Sequence, residues 1–245
     1  LQPSDKMQFT LSIAISNEGT TNLEKYKTAQ ASLDIVLGRG GDQAVIYENA
    51  KYTFFGGRTQ ELEKRTKVKA RIISHALEGL ISEASRVMIM GHTNADMDCI
   101  GASMGIYRLA RTLEKEAHIV LNPKGDNLAV FLDELKSNPE YDNIILEPQR
   151  AVSDVDDDTL LVVVDTNKKN YIESFELLSK VKKIVVVDHH RRSPDYIENA
   201  TLTFHEVYAS SASELVTELV EYAQSEPKLS NLEACLLYTS DAADD

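Results

Sequence analysis

The sequence predicts an α/β protein: a doubly wound, mainly parallel sheet preceded by the C-terminal part of a smaller α/β module. Three observations carry this prediction. Aliphatic runs at 87–90, 160–164 and 184–187 have the length of buried strands. Stretches with helical apolar spacing lie between aliphatic runs, which implies right-handed crossovers between parallel neighbours. Each of the three runs also stops at residues able to bind a metal: Gly91-His92, Asp165 and Asp188-His189-His190. Parallel strands bring such ends to one edge, where open α/β sheets hold their ligands.

The front module reads as a strand over 9–15, then a helix over 23–37 with Tyr26, Ala29, Leu33 and Leu37 on one face. Gly38 stops that helix, a turn follows to Gln43, and a strand occupies 44–47. The glycines at 38–41 follow a helix instead of opening one, so a C-cap and turn is a better reading than a phosphate loop. Phe54-Phe55-Gly56-Gly57 closes the module. One long helix covers 59–85, apolar at Ile72, Ile73, Ala76, Leu77, Leu80 and Ile81, with a charged first half, and serves as a connector. Beyond it the pattern predicts strand 87–90, helix 98–115, strand 118–121, helix 127–137, strand 143–146, strand 160–164, helix 172–180, strand 184–187, strand 202–207 and helix 212–224.

At 245 residues the chain holds one large domain or two smaller ones, and its 42% hydrophobic content is that of a folded protein. A net charge of −13 argues against gripping long nucleic acid by a basic face. It leaves a small phosphate substrate open, because bound divalent cations reverse the local sign. The acidic run Asp154, Asp156, Asp157, Asp158 reads as a solvated loop. Cys99 and Cys235 lack any zinc spacing, so reduced, cytosolic thiols are expected, with Cys99 a small apolar residue at a helix start. No apolar run approaches the ~20 residues that cross a membrane, and no signal peptide opens the chain. Leu1 and a first strand in need of partners give the expectation of a section cut from a longer protein.

His92, Asp96 and Asp98 fall within seven residues. A single Asp after a strand means little, since Asp is common in turns and caps, and Asp98 alone reads equally well as an N-cap. Taken with Asp165, Asp188, His189 and His190, the set suits a pair of Mn²⁺- or Mg²⁺-like ions better than one structural zinc. Ser210 and Ser211 precede the helix at 212, where they either cap it or contact a phosphate; capping stands slightly ahead.

His92-Thr-Asn-Ala-Asp96-Met-Asp98, Val163-Val-Asp165-Thr and Asp188-His189-His190 resemble the successive signatures of the DHH phosphoesterase superfamily. RecJ-type nucleases, nanoRNases and manganese-dependent pyrophosphatases belong to it. Leu37-Gly-Arg-Gly-Gly-Asp-Gln43, Phe55-Gly-Gly57 and Ser210-Ser-Ala-Ser-Glu214 narrow the resemblance to the GdpP/YybT family of cyclic-di-AMP phosphodiesterases, over the chain to about Leu237. The resemblance implies that 1–58 is the C-terminal part of a degenerate GGDEF-like domain, 59–85 a connector helix, and 86–237 a DHH domain. It implies that 238–245 is a non-native tail, with a membrane anchor and PAS domain upstream and a DHHA1 domain missing downstream.

The same resemblance assigns one Mn²⁺ to His92, Asp96 and Asp165 and a second to Asp98, Asp165 and His189. His190 then faces the substrate phosphate and Asp188 orients its neighbours. The family's further Asp ligand has no clear counterpart; Asp244 falls near the expected count in the wrong context. The implied reaction is hydrolysis of cyclic di-AMP to pApA by a homodimer, in the cytoplasm at the inner face of a bacterial membrane. This chain alone is expected to turn over negligibly. The alternatives are an oligoribonuclease or pApA-hydrolysing enzyme, and a nucleotide-sensing module without turnover.

Overall fold

A computed structural model of the chain describes residues 11–38, 43–49, 51–56, 59–122, 135 and 138–239. The turn expected at 39–42, most of the helix expected at 127–137, and Asp244 lie outside the described residues. The chain divides into two units, Leu1–Thr66 and Lys67–Asp245. Among the described residues no helix is long and apolar enough to cross a membrane.

In the first unit β1 (Ile13–Ser16), β2 (Gln43–Glu48) and β3 (Lys51–Gly56) form one sheet in that order, with α1 (Asn22–Gly38) crossing between the parallel pair β1 and β2. β3 was not expected from the sequence as a strand. It pairs antiparallel with β2 through a turn at Asn49, whose φ is 52°. Tyr47 and Tyr52 face each other in that register with ring centroids 4.3 Å apart, a cross-strand aromatic pair of the kind that holds hairpins together.

The second unit contains β4 (Arg86–Met90), β5 (Glu116–Val120), β6 (Ile145–Leu146), β7 (Leu160–Val164), β8 (Lys183–Asp188) and β9 (Leu202–His205). All six strands are parallel, in the order β6-β5-β4-β7-β8-β9. The chain enters at the centre, runs out to β6, then returns to β7 and runs out to β9. β4 and β7 therefore flank the point where the winding reverses, and crevices open beyond the carboxyl ends there.

Strand alternation divides the sheet's side chains between two cores. Val87, Ile89, Val162, Val164, Val185 and Val187 pack with α3 (Met97–Thr112), α6 (Ala212–Glu221) and α7 (Asn231–Thr239). Met88, Met90, Leu161, Val163 and Val186 pack on the other face with α4 (Pro148–Asp154) and α5 (Phe175–Lys180). Aliphatic residues on both faces are what a sheet covered by helices on both sides requires.

The remaining helix, α2 (Thr59–Glu83), packs in the second unit through its C-terminal half. Ala70, Leu77 and Ile81 are fully buried in the first of these cores. Ser74 donates to the Leu219 carbonyl at 2.7 Å, and the Glu78 carboxylate accepts from the Gln224 and Ser225 N–H groups at 2.9 Å each.

Two features matter for the site. The helix expected over 172–180 starts only at Phe175, so 166–174 is free to run as a loop beside β4. α3 also packs at unusually short range on α6 and α7. A Cβ placed on Gly101 would stand 2.6 Å from Ser213 Oγ and 2.7 Å from the Leu236 carbonyl oxygen. Only glycine permits that approach, and it delivers the N-terminus of α6 to Asp98.

Candidate metal centre

β4 passes into the site loop through Gly91, where a Cβ would fall 2.0 Å from Cys99 Sγ. His92 follows, 7% exposed, with Nδ1 donating to the Thr93 carbonyl at 2.9 Å. Its Nε2 lies 3.5 Å from Asp96 Oδ2 and 3.4 Å from Asp165 Oδ2. From β8, His189 mirrors this arrangement. Nδ1 donates to the Ala209 carbonyl at 3.3 Å, while Nε2 lies 3.5 Å from Asp165 Oδ1 and 3.7 Å from Asp98 Oδ2. Two imidazoles thus reach opposite oxygens of one carboxylate, each with its other nitrogen tied to a backbone carbonyl, as metal-binding histidines are tied.

The Nε2–carboxylate separations exceed the usual 2.7–3.2 Å hydrogen-bond range, roughly stated. They come close to the roughly 3.0–3.4 Å between donor atoms that share an ion bound at about 2.1 Å. Asp165 is 2% exposed, and its Oδ1 has no hydrogen-bond partner among the described residues. Donor atoms of Asp165, His189 and His190 lie within 4.8 Å of one another, as do those of His92, Cys99 and Asp165. A buried, unpartnered carboxylate oxygen between two imidazoles fits a hard divalent cation.

The electrostatics agree. Burial opposes charge on His92, but Asp165 and Asp96 outweigh it and raise its pKa to about 11. Asp165 raises His189 to about 9 against the effect of burial. The neighbouring His92 imidazole takes Asp96 down to about 2, whereas burial and the neighbouring Asp165 charge push Asp98 up to about 6. Carboxylates this crowded demand positive charge at their centre, which a divalent ion would supply. Burial, then Asp165, hold the Cys99 thiol well above its ordinary value, in keeping with its reading as a small apolar residue.

Asp96 and Asp98 divide the roles that the sequence left open. Asp96 is the N-cap of α3, its Oδ1 accepting from Cys99 N–H at 3.0 Å while Oδ2 faces His92. Asp98 is not the cap of its own helix. Its carboxylate accepts from the Ala212 and Ser213 N–H groups at 2.7 and 2.8 Å, meeting the positive end of α6. Ser211 caps α6, accepting from Glu214 N–H at 3.0 Å, and Ser210 donates from N and Oγ to Glu214 Oε2 at 2.7 Å each. Both serines thus serve the helix start, the use that stood ahead in the sequence.

Asp188 is fully buried and accepts from His190 Nδ1 at 2.9 Å. Its other oxygen accepts from Asn167 Nδ2. Burial acts to raise the Asp188 pKa, but the His190 and Asn167 hydrogen bonds prevail and hold it low, while Asp188 raises His190. Asn167 also donates to the His190 carbonyl at 3.4 Å, so it fixes the pair from two sides. The sequence reading missed Asn167; its one signal was its place two residues after Asp165.

With this geometry in view, residues 86–240 match the model of the DHH family, N-terminal domain, and residues 2–54 that of the cyclic-di-AMP phosphodiesterase GdpP-like GGDEF domain. The chain belongs to the DHH family. It is 43% identical over 236 residues to cyclic-di-AMP phosphodiesterase GdpP of Bacillus subtilis (strain 168), covering 95% of this chain and 36% of that protein. It is 45% identical over 234 residues to the protein of the same name from Geobacillus thermodenitrificans (strain NG80-2), covering 94% of this chain and 35% of that protein. The chain therefore spans little more than a third of the length of these curated relatives. An exopolyphosphatase-related protein from Bacteroides fragilis shares the fold, with a TM-score of 0.55 at 21% identity, over 71% of this chain and 51% of that one.

Proposed function

We propose that this chain carries the hydrolytic centre of a cyclic-di-AMP phosphodiesterase that opens cyclic di-AMP to pApA. The observation that carries the proposal is Asp165, buried, with one oxygen 3.4 Å from His92 Nε2 and the other 3.5 Å from His189 Nε2. Relatives at 43% and 45% identity bear that activity in their names. In this reading His92, Asp96 and Asp165 hold one Mn²⁺, and Asp98, Asp165 and His189 the other. Divalent cations supply Lewis acidity that makes water nucleophilic near neutral pH and neutralises phosphodiester charge. In a chain of net charge −13, local positive charge of this kind is needed to admit an anionic substrate.

His190 is the group left to meet the phosphate. Asp188 on its Nδ1 holds the imidazole in one orientation and favours its charged form, which suits charge developing on phosphate oxygens. Asn167 keeps Asp188 in place. Homodimer assembly and anchoring at the cytoplasmic face of a membrane belong to the same reading of the whole protein.

The test is product analysis after incubating cyclic di-AMP with excess Mn²⁺ and a stoichiometric amount of chain, so that a slow single turnover is visible. The expected product is pApA. His190→Ala should keep both ions and lose about a hundredfold or more in rate. Faster cleavage of pApA or short oligoribonucleotides would make the chain an oligonucleotide hydrolase instead. Binding of cyclic di-AMP with no product at any enzyme ratio would make it a sensor.

A further inference from the structure

Tyr171 sits on the 166–174 loop and stacks on the ring of His92, with centroids 5.3 Å apart and planes within 5° of parallel. The loop is held there by its backbone. The Tyr171 carbonyl accepts from Thr93 N–H at 2.8 Å and Thr93 Oγ1 at 2.9 Å, and Tyr171 N–H donates to the Lys168 carbonyl at 3.1 Å. Glu173 N–H adds a bond to the Gly91 carbonyl at 2.9 Å. None of these bonds involves the phenol ring, so anchoring the loop does not require an aromatic side chain.

The residue nonetheless remains 47% exposed. A ring placed only to cover His92 would gain most by burying both faces. Here one face is stacked on an imidazole that is itself 3.4 Å from Asp165, and about half of the residue stays exposed. An aromatic face beside a phosphate-handling centre is the recurring solution for holding a base, because every nucleobase has a π-face to offer.

We infer that Tyr171 is a stacking platform for one nucleobase of the substrate, beside the centre where the attached phosphate would meet the metal site and His190. This rests on the reading of the site as a nucleotide phosphodiesterase and names the part of the substrate recognised beyond the phosphate. His92 forms the back of the platform, so the same imidazole that serves the metal centre also sets the height of the base-binding ring.

The chain contains no tryptophan, so Tyr171→Trp introduces a single indole at the platform. In the presence of Mn²⁺, AMP and cyclic di-AMP should quench its fluorescence saturably, and ribose 5-phosphate should not. By competition against that signal or by calorimetry, Tyr171→Phe should bind AMP as the parent does. Tyr171→Ala should bind AMP about tenfold more weakly, with Mn²⁺ and ribose 5-phosphate affinities unchanged. If Tyr171→Ala weakens Mn²⁺, ribose 5-phosphate and AMP alike, the ring only shields His92 and the inference is wrong. Quenching by AMP without any by cyclic di-AMP keeps the platform and removes cyclic di-AMP as substrate. Equal parent affinity for AMP and ribose 5-phosphate removes the platform and leaves the phosphoesterase reading intact.

Discussion

The two imidazoles that converge on Asp165 are held by different parts of the fold. His92 is tied to the residue next to it, at 2.9 Å, and stacked on Tyr171, with its side chain 9% exposed. His189 is tied across the chain to Ala209 at 3.3 Å, and its side chain is 15% exposed. Its second carboxylate neighbour, Asp98, already accepts two N–H bonds from the start of α6. The half-site around His92 takes His92 and Asp96 from one loop and adds Asp165 and Tyr171 from the end of β7 and the loop after it. The half-site around His189 depends on α3, α6 and the segment after β9 being packed correctly. The first half thus relies on one local loop for two of its three carboxylate and imidazole groups, while the second draws every group from a different element and inherits the movements of the helices that pack there.

The largest effect expected is from Asp165→Ala, which removes the group common to both halves. Both Mn²⁺ sites should be lost, with a rate loss of roughly a thousandfold or more in any active form. Retention of parental metal stoichiometry by mass spectrometry would break the comparison at its root. Next comes the contrast between the histidines. Calorimetric Mn²⁺ titration should show a tight and a weak phase separated by about tenfold or more. His189→Ala should delete the weak phase and His92→Ala the tight one, and the reverse outcome would invert the ranking of the two halves.

Gly101→Val tests the dependence on packing. Its side chain must displace Ser213 and the Leu236 backbone. A loss of about 2 kcal/mol in urea unfolding is expected, and in the molecules that remain folded the weak Mn²⁺ phase should suffer more than the tight one. Equal damage to both phases would show that α6 does not govern the second half. The pH dependence is the finest measure. His92 and His189 have pKa values raised to about 11 and about 9, so near neutrality both hold protons that a cation must displace. Mn²⁺ affinity should therefore rise with pH, about tenfold per unit for each proton released. Titration in buffers of different ionisation enthalpy counts those protons, and no release at pH 7 would contradict the assignment.

What could be read from the sequence follows the same division between short and long range. The strands 87–90, 160–164 and 184–187 were legible because residues buried on both faces leave uninterrupted aliphatic runs, and a candidate ligand follows each run within two residues. α4 was not legible: seven residues starting at Pro148 are too few to show a helical period. β3 was read only as the close of its module, since its alternation is short and its partner β2 supplies the register. For Asp98 the sequence offered a cap and a ligand as equals. A contact with N–H groups more than a hundred residues away decides its first role, and no local pattern encodes that. Asn167 and Tyr171 were missed for the same reason, their partners being Asp188 at the end of β8 and His92 in the loop after β4.

Asp165 adopts φ 57°, a backbone region that few residues other than glycine, asparagine and aspartate enter at low cost. The position is thus restricted twice, by charge and by conformation, and the two restrictions favour different replacements. Glutamate keeps the charge and strains the bend; asparagine relaxes the bend and gives up the charge. Evolutionary drift toward inactive paralogues that keep the fold should accordingly run through asparagine or glycine at this position. For the experimenter, Asp165→Asn separates loss of charge from loss of shape, which Asp165→Ala leaves confounded.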